Sequence, residues 1–235
     1  NEAKDEIIRI VSHDMRNPLN GIIGVSNFLR EDDVPEEDFD ELLEMVENSG
    51  KQLLDIVNNL LDAAVLDAEN VKLNRKDVEI AAVLKKAVDL QRPNAQTKKI
   101  KLVREVDDDI PTVSLDPAIF SQIVGNLLSN AIKFTPDEGE VKVSATTESE
   151  PDSGADHLLV SVTDNGIGIP EKYQATLFDR YGKHLREGTK GEKSSGLGMS
   201  IVKQFVEAHD GTIEVDSEEG EGTVFTIKVP MANGQ

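Results

Sequence analysis

The sequence predicts two architectures in one chain: an N-terminal helical hairpin that pairs with a second copy as a four-helix bundle, then an α/β sandwich with a mixed sheet. Three observations carry this. Apolar residues recur at helical spacing through two long segments before residue 70. From Val78 onward, helical stretches, alternating strands and glycine turns follow one another, the pattern of a mixed α/β domain. At 235 residues, with 38% hydrophobic content, the chain has room for two ordinary domains.

The first helix covers residues 5–30, where Ile7, Ile8, Val11, Met15, Leu19, Ile22, Ile23 and Leu29 share a face. Pro18 lacks an N–H, so the carbonyl of Asp14 loses its helical partner and the helix is expected to bend there. An acidic turn, residues 31–38 around Pro35, ends it. The second helix runs over 38–67 with Leu43, Val46, Gly50, Leu53, Val57, Leu60 and Ala64 in a heptad-like seam. A lone hairpin cannot cover such faces, so a homodimer is expected, with packing of the hairpin on the following domain of the same chain as the alternative. The domains are therefore read as 1–70 for the hairpin, 71–77 for a linker, 78–231 for the α/β domain and 232–235 for a tail.

In the second domain the expected strands are 99–106, 140–147, 158–164, 212–216 and 223–229. Leu115-Asp116-Pro117 is a helix start, with an acid at the cap and proline at the first position, and that helix should reach Phe134. Another helix follows Gly198. Residues 149–156 and 186–195 read as loose connections, and 182–195 has the composition of a lid.

Composition removes several function classes. A formal charge of −20 repels polyanions, and with 4% aromatics and no Trp there is no evident stacking surface, so nucleic acid is not expected as a partner. No cysteine is present, which excludes disulfides and thiolate metal sites. No apolar run approaches the roughly 20 residues of a membrane span. The chain opens already helical and uncapped, so it is expected to be a fragment of a longer protein.

Chemistry concentrates in a few places. Ser12-His13-Asp14-Met15-Arg16-Asn17-Pro18-Leu19 sets a nucleophilic imidazole beside a carboxylate and one helical turn before a carboxamide. On the 116–134 helix Asn126, Asn130 and Lys133 form a row. Amide oxygens suit a hard cation and an ammonium suits phosphate, although a solvated polar face has the same spacing. Asp164-Asn165-Gly166-Ile167-Gly168 follows an apolar strand, where a carboxylate can accept from an adenine amine; an ordinary turn is the alternative. Gly196-Leu197-Gly198 opens a helix whose unpaired amides can receive phosphate. His157, His184 and His209 form no cluster, and His209, at a helix end, is expected to be protonated against the dipole.

Together these segments resemble the catalytic core of sensor histidine kinases of two-component systems, over nearly the whole chain and in the family's order. SHDMRNPL is similar to its H-box, GNLLSNAIKFTP to its N-box, DNGIGIP and GLGMSIVK to its glycine boxes, LFDRYGK to its F-box and GEGTVFTIKVP to its closing strand. The resemblance implies a dimerisation and phosphotransfer hairpin joined to a Bergerat-type ATP-binding domain, using ATP and Mg²⁺ and handing phosphate to a response-regulator receiver domain, in the cytoplasm, with a sensor or signalling domain outside this chain that is either free or membrane-bound. It implies His13 as phosphoacceptor, Asp14 as its orienting acid, and Asn17 as the holder of water for removal of phosphate from the regulator. It also implies Asn130 on Mg²⁺, Asn126 near the γ-phosphate, and Lys133 on phosphate. Asp164 would read adenine with Gly166 and Gly168 shaping its pocket, Gly196 and Gly198 would face the phosphates, and Thr223 would approach adenine through water. Asp14 stands where Glu is frequent, Asn17 where Thr is frequent, and Tyr181 where Phe is usual. The expected activity is autophosphorylation of His13 and phosphotransfer. Its rivals are a predominant regulator phosphatase using Asn17, and a nucleotide-binding scaffold or ATPase of the same superfamily.

Overall fold

The structure is a computed structural model that describes residues 2–30, 35, 38–66, 72–107, 109–149, 156–179, 188–190 and 198–231. Within the first two helices, side chains are described at 15–30, 38–50, 52, 53 and 56. The chain separates into two compact units, Asn1–Asp67 and Ala68–Gln235.

The first unit is a hairpin of α1 (Glu2–Phe28) and α2 (Phe39–Leu66). Helix α1 continues through Pro18, whose ring is buried. The helices approach closely at Gly21, where an added Cβ would lie 3.1 Å from the Ser49 hydroxyl. Val25 is buried, yet Leu19, Ile23, Phe28, Phe39, Leu43 and Met45 remain exposed in the single chain.

The second unit contains β1 (Lys76–Val78), α3 (Ile80–Thr97), β2 (Lys101–Val106), β3 (Val113–Leu115) and α4 (Pro117–Phe134). It continues with β4 (Glu140–Ser149), β5 (Asp156–Asp164), α5 (Glu171–Gln174), α6 (Gly198–Ala208), β6 (Thr212–Glu218) and β7 (Gly222–Pro230). Five strands form one sheet in the order β2-β4-β5-β7-β6; β2 pairs parallel with β4 and the other neighbours are antiparallel. Strands β1 and β3 form a separate antiparallel pair, so Lys76 and Asp77, taken above as linker, belong to a strand. At three residues each, these strands are too short for alternation to reveal them.

One sheet face carries the core. Cross-strand partners point to the same face, and the row Val143, Val162, Phe225, Val215 is apolar throughout. Against it pack α4 with Phe120, Ile123, Val124, Leu127 and Leu128, and α6 with Ile201, Val202, Phe205 and Val206, all buried. The next row along reads Val141, Asp164, Thr223, Ser217. The apolar face thus turns polar at one end of the sheet.

Candidate nucleotide site

Helix α4 begins at the residues the sequence indicates. The Asp116 carboxylate accepts from the N–H groups of Ala118 (3.0 Å), Ile119 (3.2 Å) and Asn74 (2.8 Å), with Pro117 in the first turn. Burial pushes this carboxyl up, but the three donors outweigh it and hold the group below the usual range. The helix then sends its apolar residues into the core and leaves Asn126, Asn130 and Lys133 half-buried along another side.

Asn130 is held by the neighbouring helix: its Nδ2 lies 3.2 Å from Sδ of Met199, the residue after Gly198. The amide oxygen is then the atom available to a cation, beside the first turn of α6. An added Cβ at Gly198 would meet nothing within 4 Å, so packing does not demand glycine there. Gly196 and residues 191–195 lie outside the described residues, as do 182–187 of the expected lid. Among the described residues no group of three or more His, Asp or Glu side chains could hold a metal. A carboxamide oxygen is a hard donor of the kind that would suit Mg²⁺.

The end of α4 is secured by side chains that the sequence did not single out. Lys98, buried, donates from Nζ to the carbonyls of Ile132 (3.1 Å) and Lys133 (2.8 Å) and to Oγ1 of Thr189 (2.7 Å). The N–H of Thr189 returns to the Lys133 carbonyl at 3.1 Å. A cation on the last carbonyls of a helix complements its dipole and satisfies acceptors with no partner in the helix itself. The ammonium of Lys133 lies 5.5 Å from the centre of the Phe134 ring.

Asp164 closes β5 and is buried. Burial pushes its carboxyl up to about 6, although the N–H groups of Gly166 (2.9 Å) and Thr223 donate to it and pull the other way. The following loop is clamped on both sides: the Ile167 N–H donates to the Phe134 carbonyl at 3.1 Å, and the Gly220 N–H to the Ile167 carbonyl at 3.0 Å. Here the glycines are required. An added Cβ would sit 2.5 Å from the Phe134 carbonyl oxygen at Gly166, and 1.9 Å from that of Glu218 at Gly168, which also has φ +62. Gly222, with φ +127, would place a Cβ 2.1 Å from the Asp164 carbonyl oxygen; only the register of β7 on β5 reveals that constraint.

His209 corrects an expectation. It is buried, donates from Nδ1 to the Phe205 carbonyl at 2.7 Å, and accepts at Nε2 from the Asp116 N–H at 3.1 Å. Those roles define a neutral imidazole. Burial lowers its pKa, with help from Arg75 and against the pull of Asp116 and Asp210. The helix dipole acting on an exposed cation gives way to a fully engaged neutral ring.

In the first unit, α1 carries His13, Asp14 and Asn17 on its backbone, and Asn17 is exposed. The side chains of His13 and Asp14 lie outside the described residues.

Comparison with known proteins accounts for both units. The family described as histidine kinase-, DNA gyrase B-, and HSP90-like ATPase matches residues 115–233, and the His Kinase A (phospho-acceptor) domain matches residues 3–69. The chain belongs to the histidine kinase family. The sensor histidine kinase TmoS of Ectopseudomonas mendocina is 33% identical over 97% of this chain and 23% of its own length. The sensor histidine kinase RcsC of Escherichia coli is 32% identical over all of this chain and 24% of its own length. The chain therefore spans about a quarter of the curated relatives it matches. Among solved histidine kinases, full-length ShkA in complex with AMPPNP is 30% identical with a TM-score of 0.68, over 98% of this chain and 46% of that one. ThkA in complex with a response regulator protein, at 21% identity, supports the fold alone, with a TM-score of 0.73 over 97% of this chain and 61% of its own.

Proposed function

We propose that this histidine kinase core binds ATP with Mg²⁺ in its second unit, phosphorylates His13, and passes the phosphoryl group to an aspartate on a response-regulator receiver domain. The observation that carries the reading is the polar end of the sheet row: a buried acceptor, Asp164, next to glycines that admit no side chain, on a domain that follows a phospho-acceptor domain in the same chain.

In this reading the adenine amine donates to Asp164, Gly166 and Gly168 shape the pocket, and Thr223 is reached through water. The Asn130 oxygen holds Mg²⁺, Asn126 stands near the γ-phosphate, and Lys133 together with the amides around Gly196 and Gly198 receives phosphate. Mg²⁺ supplies charge compensation on the phosphates. An imidazole nitrogen of His13 attacks the γ-phosphorus in line, the bond to the β-phosphate oxygen breaks, and ADP leaves. Asp14 orients the ring and assists removal of its proton.

Residues 1–70 are proposed as the dimerising domain, and the exposed pairs Leu19 and Ile23 on α1 and Phe39 and Leu43 on α2, each one turn apart, supply apolar surface for a second copy. No helix among the described residues is long and apolar enough to cross a membrane. We place the chain on the cytoplasmic side, where ATP and receiver domains are found. An accompanying phosphatase activity is supported by the exposed Asn17, whose amide can hold water, and by a 32% identical relative named as the autoinducer 2 sensor kinase/phosphatase LuxQ of Vibrio parahaemolyticus. A predominant phosphatase or a non-enzymatic scaffold is not favoured.

A chase tests the coupled reaction. Chain labelled from γ-labelled ATP and freed of nucleotide is mixed with a panel of receiver domains, and label is expected to move to an aspartate of at least one. Retention on the kinase against every receiver would contradict the transfer step.

A further inference from the structure

Asp164, Thr223 and Ser217 are direct partners across three neighbouring strands and share one sheet face. Ser217 Oγ lies 2.8 Å from the Ile169 nitrogen, 2.7 Å from the Gly222 carbonyl oxygen and 3.0 Å from Thr223 Oγ1. A serine hydroxyl has one proton and two lone pairs. The Ile169 N–H can only donate to it, and the Gly222 carbonyl can only accept. The serine proton is therefore spent on Gly222, and the contact with Thr223 must use the threonine proton. Thr223 is buried, and with its one proton committed its hydroxyl has only lone pairs to offer a ligand. Its backbone N–H is committed as well, to Asp164. The carboxylate and the threonine hydroxyl together form an edge that accepts.

We infer that Ser217 is a specificity-determining positioning residue, which by taking the proton of Thr223 makes the base-reading edge acceptor-only and so selects a 6-amino purine over a 6-oxo purine. The inference rests on the reading that this site binds adenine. A 6-amino group donates to such an edge directly. Through one water, that water donates to Thr223 and has its second proton for an unprotonated ring N1. A 6-oxo purine presents an acceptor at that position, which meets only acceptors along this edge; its N1–H can still donate to a lone pair of the bridging water, so the discrimination falls on the 6-substituent. A site built to hydrogen-bond one pattern rejects its complement because buried polar groups are left unpaired.

The test uses ADP and inosine diphosphate, which differ only at the base edge, with equilibrium binding to the full chain measured by calorimetry. Wild type is expected to prefer ADP by about tenfold or more. In Ser217→Ala the threonine hydroxyl is free to turn and donate, and the preference should fall severalfold toward parity, while Ser217→Thr retains it. Equal weakening of both nucleotides by Ser217→Ala, with the preference intact, would show a merely structural role and overturn the inference. Thr223→Val gives an independent reading, in which an undiminished preference also overturns it. ADP binding to wild type without preference overturns the inference alone; no binding of either nucleotide overturns the adenine reading as well.

Discussion

The main-chain N–H of Asp116 donates to Nε2 of His209 at 3.1 Å, across 93 positions of sequence. The bond joins the N-terminal cap of α4 to the turn that ends α6. It also dictates which nitrogen of the imidazole stays unprotonated.

Acid should therefore weaken this junction. The folded-state pKa of His209 lies below its ordinary value of 6.5, so the folded form binds fewer protons than the unfolded chain in acid. Its stabilising contribution is complete above pH 6.5 and is lost as pH falls toward the folded pKa, at up to about 1.4 kcal/mol per pH unit. Because Asp164 titrates with the opposite sign in the same range, the slope is read as the difference in urea-unfolding free energy between wild type and His209→Phe, which should shrink as pH falls from 7.5 to 5. That variant should also be less stable at pH 7.5 by about 1–3 kcal/mol, because the Asp116 N–H loses its acceptor.

Asp164 carries the opposite sign. With its carboxyl pushed up to about 6 against an ordinary value of 3.8, the empty domain is fully stabilised by this group only below pH 3.8, and that contribution is lost as pH rises through 6. The buried charge thus costs the empty domain on the order of 3 kcal/mol at pH 7. ADP binding, which uses the ionised form, should weaken below pH 6 by up to about tenfold per unit. Asp164→Asn should remove that pH dependence, lower ADP affinity on the order of a hundredfold, and leave the empty domain at least as stable at pH 7. Calorimetric titrations across pH 5–8 check the first two, and urea unfolding of the empty protein at pH 7 checks the third.

Two glycines should respond differently to a methyl group. Gly168→Ala places a Cβ against the Glu218 carbonyl at a positive φ, so it should destabilise the fold by about 2–4 kcal/mol and abolish nucleotide binding. Gly198→Ala meets open space, so its thermal unfolding should match wild type while ATP affinity falls if phosphate packs on that backbone.

Removing the Lys98 ammonium should loosen the end of α4. Lys98→Met leaves two carbonyls and the Thr189 hydroxyl without this donor, and a loss of about 2 kcal/mol in unfolding free energy is expected. Because the same turn carries Lys133, the KM for ATP should rise as well, which steady-state ADP formation would show.

Where a local signal existed, the sequence was informative. Asp116-Pro117 marked the start of α4, the apolar spacing marked α1, α2 and α6, and alternation located all five strands of the main sheet. What escaped depends on register or on distant partners. Strands β1 and β3 are three residues long, and α3 hides behind Pro93 in its interior. Lys98, Gly222 and Ser217 acquire meaning only when α4 and the β5-β7-β6 ladder bring their partners close. His209 was misjudged because its burial and its donor, Asp116, come from tertiary packing that a position near a helix end does not disclose. For Asn130, Asp164, Gly166 and Gly168 the residue type and spacing were enough to raise the proposal, since each sits within its own helix or turn.

The central claim is that His13 accepts the γ-phosphoryl group. Incubation of the full chain with γ-labelled ATP and Mg²⁺, beside His13→Gln, tests it most directly. Acid-labile, base-stable label on wild type and none on His13→Gln is the predicted result; label persisting on His13→Gln would contradict the account.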